Sequence, residues 1–449
     1  MAHEFDTDTE AQGLIDYVDA SPTPFHACEQ SARLLSAVGF TQVHETDAFP
    51  TEPGAHYLLR GGSLIAWDTR GAHATGAGPA AGFRVVGAHT DSPNLRLKPH
   101  SDHVKARWQM LAVEPYGGLI LNSWLDRDLG LAGRVAVRTA HGTDGVDGVG
   151  TRLFHDRQPL LRVAQLAIHL DRSQNDGLSL NKQQNMVPLW GVGDEPGDVI
   201  GYLAEQVGVD REDVLGSDVM THPTEPSARL GRHRELIAAP RLDNLATSYA
   251  GTRALVDVVA GHASPASGSP AAQVPVLVLF DHEEIGSTSE RGAMSTLLPS
   301  VLERIVTAGG GSRDDYWRAL AATVIASGDM GHATHPNYAD RHEPLHHIAV
   351  NAGPVLKVNT NLRYATDSVG AAAFRLACEQ AQVPMQTFVS RSDLPCGSTV
   401  GPMTAALTGA TTVDFGAATL SMHSARELCG AHDPAMYAAA LSAFLAPAR

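Results

Sequence analysis

The order of apolar and polar positions predicts strands that alternate with helices. Residues 276–280, Val-Leu-Val-Leu-Phe, form an uninterrupted apolar run of the kind found in strands buried on both faces of a sheet. Further apolar runs occupy residues 83–88, 319–326, 355–358, 386–389 and 411–415. Helical patterns span residues 25–38, 245–259 and 371–382. This alternation predicts an α/β fold, with a mainly parallel sheet flanked by helices.

The pattern changes between residues 95 and 237. Runs such as residues 131–137 and 163–170 predict strands, and Gly-rich and charged turns, for example residues 144–150, separate them. None of these strands is followed by a paired acidic cluster. We therefore expect a β-rich insertion at residues 95–237 that divides a catalytic domain into residues 1–94 and 238–449, which suits a chain of 449 residues.

Three local patterns add detail to this prediction. Residues 57–67 contain two short apolar runs around Gly61 and Gly62, which indicates a hairpin. Residues 262–273 are rich in Pro, Ser, Gly and Ala, which is typical of a surface loop. Asp243 or Asn244 is placed to cap the helix predicted at residues 245–259.

Composition excludes several classes of function. A formal net charge of −16 argues against a nucleic-acid partner. No apolar run approaches the ~20 residues of a membrane span, and the acidic amino terminus lacks the apolar core of a signal peptide, so we expect a cytoplasmic protein without a membrane partner. The four cysteines form no CxxC pair, which favours reduced thiols and argues against a thiolate zinc site.

Polar clusters that follow the apolar runs predict the functional site. They are His89 with Asp91, Glu283 with Glu284, Asp329 with His332, and His423, while Asp243 stands at a helix start. The carboxyl ends of parallel strands meet at one edge of a sheet, where ligands bind. Adjacent carboxylates such as Glu283 and Glu284 repel each other unless a cation holds them or one is protonated. Taken alone, this pair could equally be a solvated acidic turn.

Histidine and carboxylate ligands without cysteine form the ligand set of a catalytic zinc, manganese or cobalt site. A divalent metal is the simplest partner for the acidic pair, with one Glu as a ligand and the other left as a base. The ligand types alone do not rank the three metals.

Six motifs resemble those of the aspartyl aminopeptidase family of di-zinc peptidases. They occur in the family's order and span nearly the whole chain. They are His89-Thr-Asp-Ser-Pro, Leu242-Asp-Asn, Asp281-His-Glu-Glu-Ile-Gly-Ser, Ser327-Gly-Asp-Met-Gly-His, Cys396-Gly-Ser-Thr-Val-Gly-Pro and Met422-His-Ser.

The resemblance implies two metal ions that share Asp243 as a bridging ligand. His89 and Asp329 would complete one metal site, and Glu284 and His423 the other. This arrangement leaves room for a water between the two ions. Glu283 would be the general base that takes a proton from this water and passes it to the leaving amine.

The resemblance implies supporting roles for four more residues. Asp91 would fix the tautomer of His89, although it could instead be a turn residue beside Pro93. His332 would contact the scissile carbonyl, or be a packed loop histidine. In this interpretation His169 reaches a neighbouring subunit's active site; a histidine inside an apolar strand is otherwise a core residue. Lys357 would contact acidic side chains of the substrate, or form a structural salt bridge.

The motifs therefore predict a metal-dependent aminopeptidase that acts on peptides with a free amino terminus, and the resemblance implies a preference for Asp or Glu there. Resemblance further implies a homo-oligomer, a tetrahedral dodecamer built from dimers through the insertion. Two alternatives stay open: another di-zinc amidohydrolase, such as a deacylase that requires a blocked amine, or a metal-binding scaffold, which would have no need of Glu283. A glycosidase built on Glu283 and Glu284 is disfavoured, because adjacent side chains at a strand end point apart.

Overall fold

The computed structural model describes residues 5–140, 142, 146–261 and 273–448. The turn predicted at residues 144–150 is thus described only from residue 146, and only Gln273 of the loop predicted at residues 262–273 is described. The chain divides into two compact units. The first consists of Met1–Asp91, Ser227–Met422 and Glu427–Arg449, and the second of Ser92–Pro226 and His423–Arg426. The division into a catalytic domain and an insertion at residues 94 and 237 stays a prediction.

The helices, in chain order, are α1 (Thr7–Ala20), α2 (Pro24–Ser36), α3 (Arg70–Ala74), α4 (Val199–Val207), α5 (Leu242–Val259), α6 (Leu297–Ala308), α7 (Arg313–Ala321), α8 (Ser368–Ala381), α9 (Val400–Thr408) and α10 (Asp433–Leu445). The strands are β1 (Thr41–Gln42), β2 (Ala55–Arg60), β3 (Ser63–Asp68), β4 (Phe83–His89), β5 (Asn94–Lys105), β6 (Trp108–Tyr116), β7 (Asp128–Arg138), β8 (Val149–Arg162), β9 (Leu189–Val192), β10 (Val214–Pro223), β11 (Ala228–Leu230), β12 (Leu236–Ala239), β13 (Val274–Phe280), β14 (Val324–Gly328), β15 (Gly331–His332), β16 (Val355–Val358), β17 (Gln386–Val389), β18 (Thr411–Gly416), β19 (Ala418–Leu420) and β20 (Glu427–Gly430).

A nine-stranded sheet forms the centre of the first unit, in the order β1-β2-β3-β13-β4-β14-β18-β16-β17. Its middle strands β13, β4, β14 and β18 run parallel to one another, while β3 and β16 are antiparallel to their neighbours in this group. The mainly parallel α/β fold predicted from the sequence is confirmed, as is the hairpin, which β2 and β3 form around Gly61 and Gly62.

Strand β13 shows why the apolar run predicts a doubly covered strand. All seven of its residues are buried. Leu277 and Leu279 belong to one hydrophobic cluster, which includes apolar residues of α1, α2, α5, α8 and α10. Val276, Val278 and Phe280 belong to another, which includes residues of α6 and α7. Because side chains alternate across a strand, an apolar run without polar positions places apolar side chains against the helices on both faces of the sheet.

Two smaller sheets complete the description. In the first unit, β11, β12, β20, β19 and β15 form a five-stranded sheet in that order. In the second unit, β10, β5, β6, β9, β8 and β7 close into a barrel. Its core contains Leu95, Leu131 and Phe154 together with Leu203 of α4. This unit is β-rich, as the sequence predicts.

The strand predicted at residues 163–170 is wrong. Only Val163 forms a bridge, to Leu125, and residues 168–170 are a turn. The alternating apolar residues Leu166, Ile168 and Leu170 are 54%, 43% and 73% exposed. Alternation predicts a strand only where a neighbouring strand pairs with it, and this segment has no such partner among the described residues.

The predicted capping of helix α5 is also wrong. Arg241 occupies the cap position, in a left-handed conformation, and makes no capping hydrogen bond with its side chain. Asp243 and Asn244 lie within the first turn with non-helical backbone angles, and the peptide bond between them is cis. Their side chains serve tertiary contacts instead, because the amide of Asn244 donates to the Gly328 carbonyl at 2.7 Å.

No helix in the described part of the chain is both long and apolar enough to cross a membrane.

Candidate metal centre

Three neighbouring parallel strands end at the same edge of the central sheet. Strand β4 ends at His89, β13 at Phe280 and β14 at Gly328. Phe280 pairs with His89 in the register of β13 and β4, and Ser327 pairs with Gly87 in that of β14 and β4. The polar residues that follow these strands therefore emerge side by side, as expected for the ligand-binding edge of a parallel sheet.

His89 is buried among carboxylates. Its Nδ1 lies 3.0 Å from the carbonyl oxygen of Asp91 and 3.5 Å from the Oδ1 of that residue. A carbonyl only accepts, so Nδ1 carries a proton. Nε2 faces Asp243 Oδ1 at 3.4 Å and Asp329 Oδ1 at 3.7 Å. Burial lowers the pKa of His89, but hydrogen bonds to Asp243, Asp329 and Asp91 outweigh it and raise the pKa well above its usual range.

His89, Asp243 and Asp329 form the first candidate set of ligands. All three are buried, and each offers one ligand atom within 4.8 Å of those of the other two. Asp243 comes from the first turn of α5, and its backbone N–H donates to the buried carboxylate of Glu427 at 2.9 Å. The Ser248 hydroxyl donates to the carbonyl of His89 at 2.8 Å. These contacts fix the backbone from which two of the ligands extend.

Glu283 and Glu284 lie in a short 3-10 helix that directly follows β13. Together with His89 they form a second set of side chains whose ligand atoms lie within 4.8 Å of one another. Asp91 is fully buried and accepts the backbone N–H of Glu283 and that of Glu284, each at 3.0 Å. Asp91 thus holds the histidine through its backbone carbonyl and the acidic turn through its carboxylate.

Burial raises the pKa of Glu283 well above its usual range. His89 lowers this pKa, whereas Asp329, Glu284 and Asp91 raise it further. A carboxyl group with a raised pKa is suited to accept a proton near neutral pH. Its environment therefore fits the role of a general base.

The donor set fits a divalent cation. Four carboxylates, from Asp243, Asp329, Glu283 and Glu284, converge on one buried histidine whose protonated Nδ1 leaves Nε2 to serve as the ligand. Like charges this close oppose each other unless positive charge is present. A divalent ion would supply that charge, and His89, Asp243 and Asp329 are among the residues that would hold it.

Lys357 is a buried cation next to this site. Its side chain is 3% exposed, and its Nζ lies 3.5 Å from Asp329 Oδ2. The ring centroid of Tyr364 is 5.4 Å from the same nitrogen. Lys357 therefore touches a predicted metal ligand directly.

His332 stands on β15 at the side of a cavity of about 350 Å³. Its ring is 6.0 Å, centroid to centroid, from that of Phe388. Tyr364, Arg341 and Met422 are also part of the cavity lining. The cavity volume is within the range of about 300–1,000 Å³ found for small-ligand sites.

Two predicted site residues belong to the second unit. His169 lies in an exposed turn, so its interpretation as a core residue is wrong. The Nδ1 of His423 lies 3.0 Å from the carbonyl of Gly118, to which it donates. This hydrogen bond leaves Nε2 with the lone pair that a metal requires.

Some functional contacts lie beyond sequence reasoning. Glu427, which holds the backbone of Asp243, and Ser248, which holds that of His89, follow no motif of their own. Asp91 was assigned to His89 alone, although it also fixes the acidic turn. The one available signal was the position of Glu427, four residues after His423.

The fold and the ligand set define the class of protein as a metallo-aminopeptidase, and comparison with known proteins gives the family. The M18 family profile, described as aminopeptidase I zinc metalloprotease, matches residues 17–445. A probable M18 family aminopeptidase 2 of Streptomyces coelicolor is 54% identical over 437 residues, which is 97% of each chain. The corresponding protein of Mycobacterium tuberculosis is 53% identical over 439 residues, 97% of this chain and 98% of the relative. The chain belongs to the M18 family of aminopeptidases.

Solved structures agree with this assignment. The chain resembles a structure of the Ape4 and Nbr1 complex with a TM-score of 0.90 and 37% identity, over 98% of this chain and 86% of that one. It also resembles the mApe1 dodecamer of S. cerevisiae, with a TM-score of 0.80 and 27% identity over 97% and 96% of the two chains. The prediction that the chain is a metallo-aminopeptidase is confirmed.

Replacing Asp91 by Asn should lower metal affinity. An amide keeps one acceptor oxygen and so leaves one of the N–H groups of Glu283 and Glu284 facing a donor. Loss of a residue that orients metal ligands typically lowers metal affinity about 10- to 100-fold. Competition with a chromogenic chelator measures this affinity. Asp19→Asn is the matched control, because Asp19 also accepts a backbone N–H, from Ser227, away from the site. Equal zinc affinity in both variants would contradict the role of Asp91.

Proposed function

We propose that the chain removes the amino-terminal residue from peptides, with a preference for Asp or Glu, and that Glu283 is the general base. The observation that carries this proposal is the position of Glu283 beside His89, within 4.8 Å between ligand atoms, in a site where His89 also adjoins Asp243 and Asp329. The M18 membership supports the same reaction.

The residues of the chain divide the chemical work. Glu283 takes a proton from the attacking water and delivers it to the leaving amine, for which its raised pKa is suited. His332, which lines the cavity, would donate to the carbonyl oxygen as negative charge develops on it. Asp91 keeps His89 in one tautomer and holds the turn that carries Glu283.

We propose two divalent ions per subunit, zinc in the first instance, with cobalt and manganese as alternatives. His89, Asp243 and Asp329 would hold one, and Asp243, Glu284 and His423 the other. When bound, such ions polarise the scissile carbonyl and lower the pKa of water toward neutrality. The part played by His423 rests on its motif, and the orientation of its Nδ1 toward Gly118 supports it.

Acidic preference is assigned to Lys357 on the basis of resemblance. Its buried position beside Asp329 gives it a second contribution, because its charge also balances that of a metal ligand. The two contributions predict different effects of mutation: loss of the first changes selectivity, and loss of the second weakens metal binding.

We further propose a homo-oligomer, a dodecamer as in the S. cerevisiae mApe1 structure. Leu166, Ile168 and Leu170 are exposed around His169, and exposed apolar residues close together are typical of interfaces between proteins. His169 would then complete a neighbour's active site. Four free cysteines, three of them buried, support a reducing, cytoplasmic location.

Hydrolysis of short peptides varied at the first residue tests the proposal. Peptides with a free amino terminus should be cleaved, fastest with Asp or Glu first, and cleavage should stop on metal chelation and return with zinc or cobalt. Acetylated versions of the same peptides serve as controls and should remain intact. Cleavage of the acetylated peptides would favour a deacylase, and preference for Leu would contradict the acidic specificity.

Replacing Glu283 by Gln should lower kcat about 100- to 10,000-fold, the usual contribution of a general base. Gln has the same shape but cannot take the proton, so metal affinity and KM should change little. Steady-state kinetics and chelator competition measure these quantities. Glu303→Gln, on the exposed side of α6, is the control. Full activity of the Glu283 variant would exclude it as the base.

Replacing Lys357 by Met should abolish the preference for acidic residues. A hydrogen bond to a charged group contributes about 1.5–3 kcal/mol, so the ratio of kcat/KM for Asp over Leu peptides should fall about 10- to 100-fold. Chelator competition on the same variant measures metal affinity. A uniform loss for all peptides together with weaker metal binding would show that Lys357 acts only through Asp329.

A further inference from the structure

The loop that carries Glu283 has an unusual backbone. Three of its residues, His282, Gly286 and Ser287, have φ angles of +65°, +98° and +59°. Two of them, His282 and Ser287, are not glycines, and such residues rarely adopt this left-handed backbone conformation. Such conformations cluster at functional sites and persist only where the surrounding structure holds them.

Asp281 and Arg291 join the two ends of the loop. Arg291 Nη1 lies 3.6 Å from Asp281 Oδ2, and the two side chains are 17% and 2% exposed. Asp281 also accepts the backbone N–H of His282 at 2.9 Å. Because burial strengthens an ion pair relative to one in water, this pair holds the two ends together more firmly than a surface pair would.

The turn between β2 and β3 lies directly against this ion pair. A Cβ placed on Gly61 would lie 2.5 Å from Arg291 Nη1, and one on Gly62 would lie 2.4 Å from Asp281 Oδ2. A side chain at either position would displace one of the two charged groups. The two glycines thus allow the backbone of the turn to approach both members of the pair, which explains the Gly-Gly sequence beyond the needs of the hairpin itself.

The same hairpin holds the loop through its backbone. The Ser63 hydroxyl donates to the carbonyl of Arg291 at 2.9 Å and accepts the N–H of Asp281, also at 2.9 Å. Arg60 donates to the carbonyl of Glu290 at 2.8 Å. The hairpin therefore contacts the loop at both of its ends.

We propose that Asp281 and Arg291, seated on the Gly61-Gly62 turn, form a clasp whose function is to position Glu283. This proposal rests on the proposed role of Glu283 as the base. Asp91 fixes the backbone N–H groups of Glu283 and Glu284, whereas the clasp fixes the path of the chain on either side of them. Because Asp91 still holds both N–H groups, loss of the clasp should misplace the base more than it weakens metal binding. Asp281 and Arg291 are positioning residues and touch no substrate.

The split between kcat and metal affinity tests the proposal. Asp281→Asn and Arg291→Met should each lower kcat about 10- to 100-fold, the scale expected for a base displaced by about 1 Å. KM should stay within about twofold of the unmodified protein, and zinc affinity, to which ligands outside the loop contribute, should fall less than kcat. The double variant should lose little more than either single variant, because both changes break the same pair. Arg291→Lys keeps the charge and should retain more activity than Arg291→Met.

A second ion pair of the same unit provides the matched control. Arg253 lies 3.0 Å from Glu10, which is also buried, and neither belongs to the site. Arg253→Met should lower the thermal midpoint and leave kcat unchanged. An unchanged kcat in the clasp variants, additive losses in the double variant, or a parallel loss of zinc affinity would each overturn the proposal. If Asp281→Asn does not fold, the comparison of Arg291→Lys with Arg291→Met decides.

Hydrogen exchange separates this proposal from the proposed function. The N–H of Gly286 donates to Glu283 and that of Ser287 to His282, at 2.9 and 2.8 Å. In zinc-free protein both amides should exchange at least about 10-fold faster in the clasp variants than in the unmodified chain. Unaltered exchange overturns the clasp whatever the enzyme cleaves. A chain that cleaves no peptide but shows the faster exchange refutes the aminopeptidase mechanism and leaves the clasp as a support of the loop alone.

Discussion

The site depends on the contacts that the buried residue Asp91 makes with His89 and with the acidic turn. The carboxylate of Asp91 lies beside Nδ1 of His89 and accepts the two N–H groups of the turn that carries Glu283 and Glu284. A carboxylate buried without such donors would be strongly disfavoured, so each of the three contacts also stabilises the charge of Asp91 itself. Through its backbone carbonyl and its carboxylate, Asp91 thereby couples the orientation of a predicted metal ligand on β4 to that of the predicted base after β13. A change that moves His89 should therefore also affect Glu283, and the reverse.

The same concentration of charge opposes folding. Burial raises the pKa of Glu283, and neighbouring carboxylates raise it further. Repulsion of this kind lowers the stability of the native state, as is common where activity requires a destabilised arrangement of groups. The clusters on either face of β13 compensate, since every residue of that strand is buried. A strongly apolar strand that ends in a strongly polar turn thus supplies the support for the charged residues that follow it.

Much of this arrangement could be predicted from the sequence, because its signals are local. The apolar run of β13 and the motifs at the ends of β4 and β14 gave the sheet, its functional edge and the candidate ligands. Contacts between residues that are distant in the chain leave no such local signal. Glu427 accepts the backbone N–H of Asp243, although the two residues are far apart in sequence. Gly61 and Gly62 have the sequence of an ordinary turn, and only the structure shows that Arg291 packs against them. The segment at residues 163–170 failed for the opposite reason. Its local pattern is strong, but among the described residues only Val163 pairs with a neighbour.

The pairing of β4 with β13 also bears on how the chain reaches its native state. Thr90 and Phe280, which are hydrogen-bonded at the end of these strands, are 190 positions apart. The entropy lost on closing a loop grows with the logarithm of its length, and topologies with distant contacts fold slowly. A second unit that forms its own closed barrel within this interval shortens the flexible path that must be closed. The residues that would hold a cation therefore come together only once the central sheet has formed.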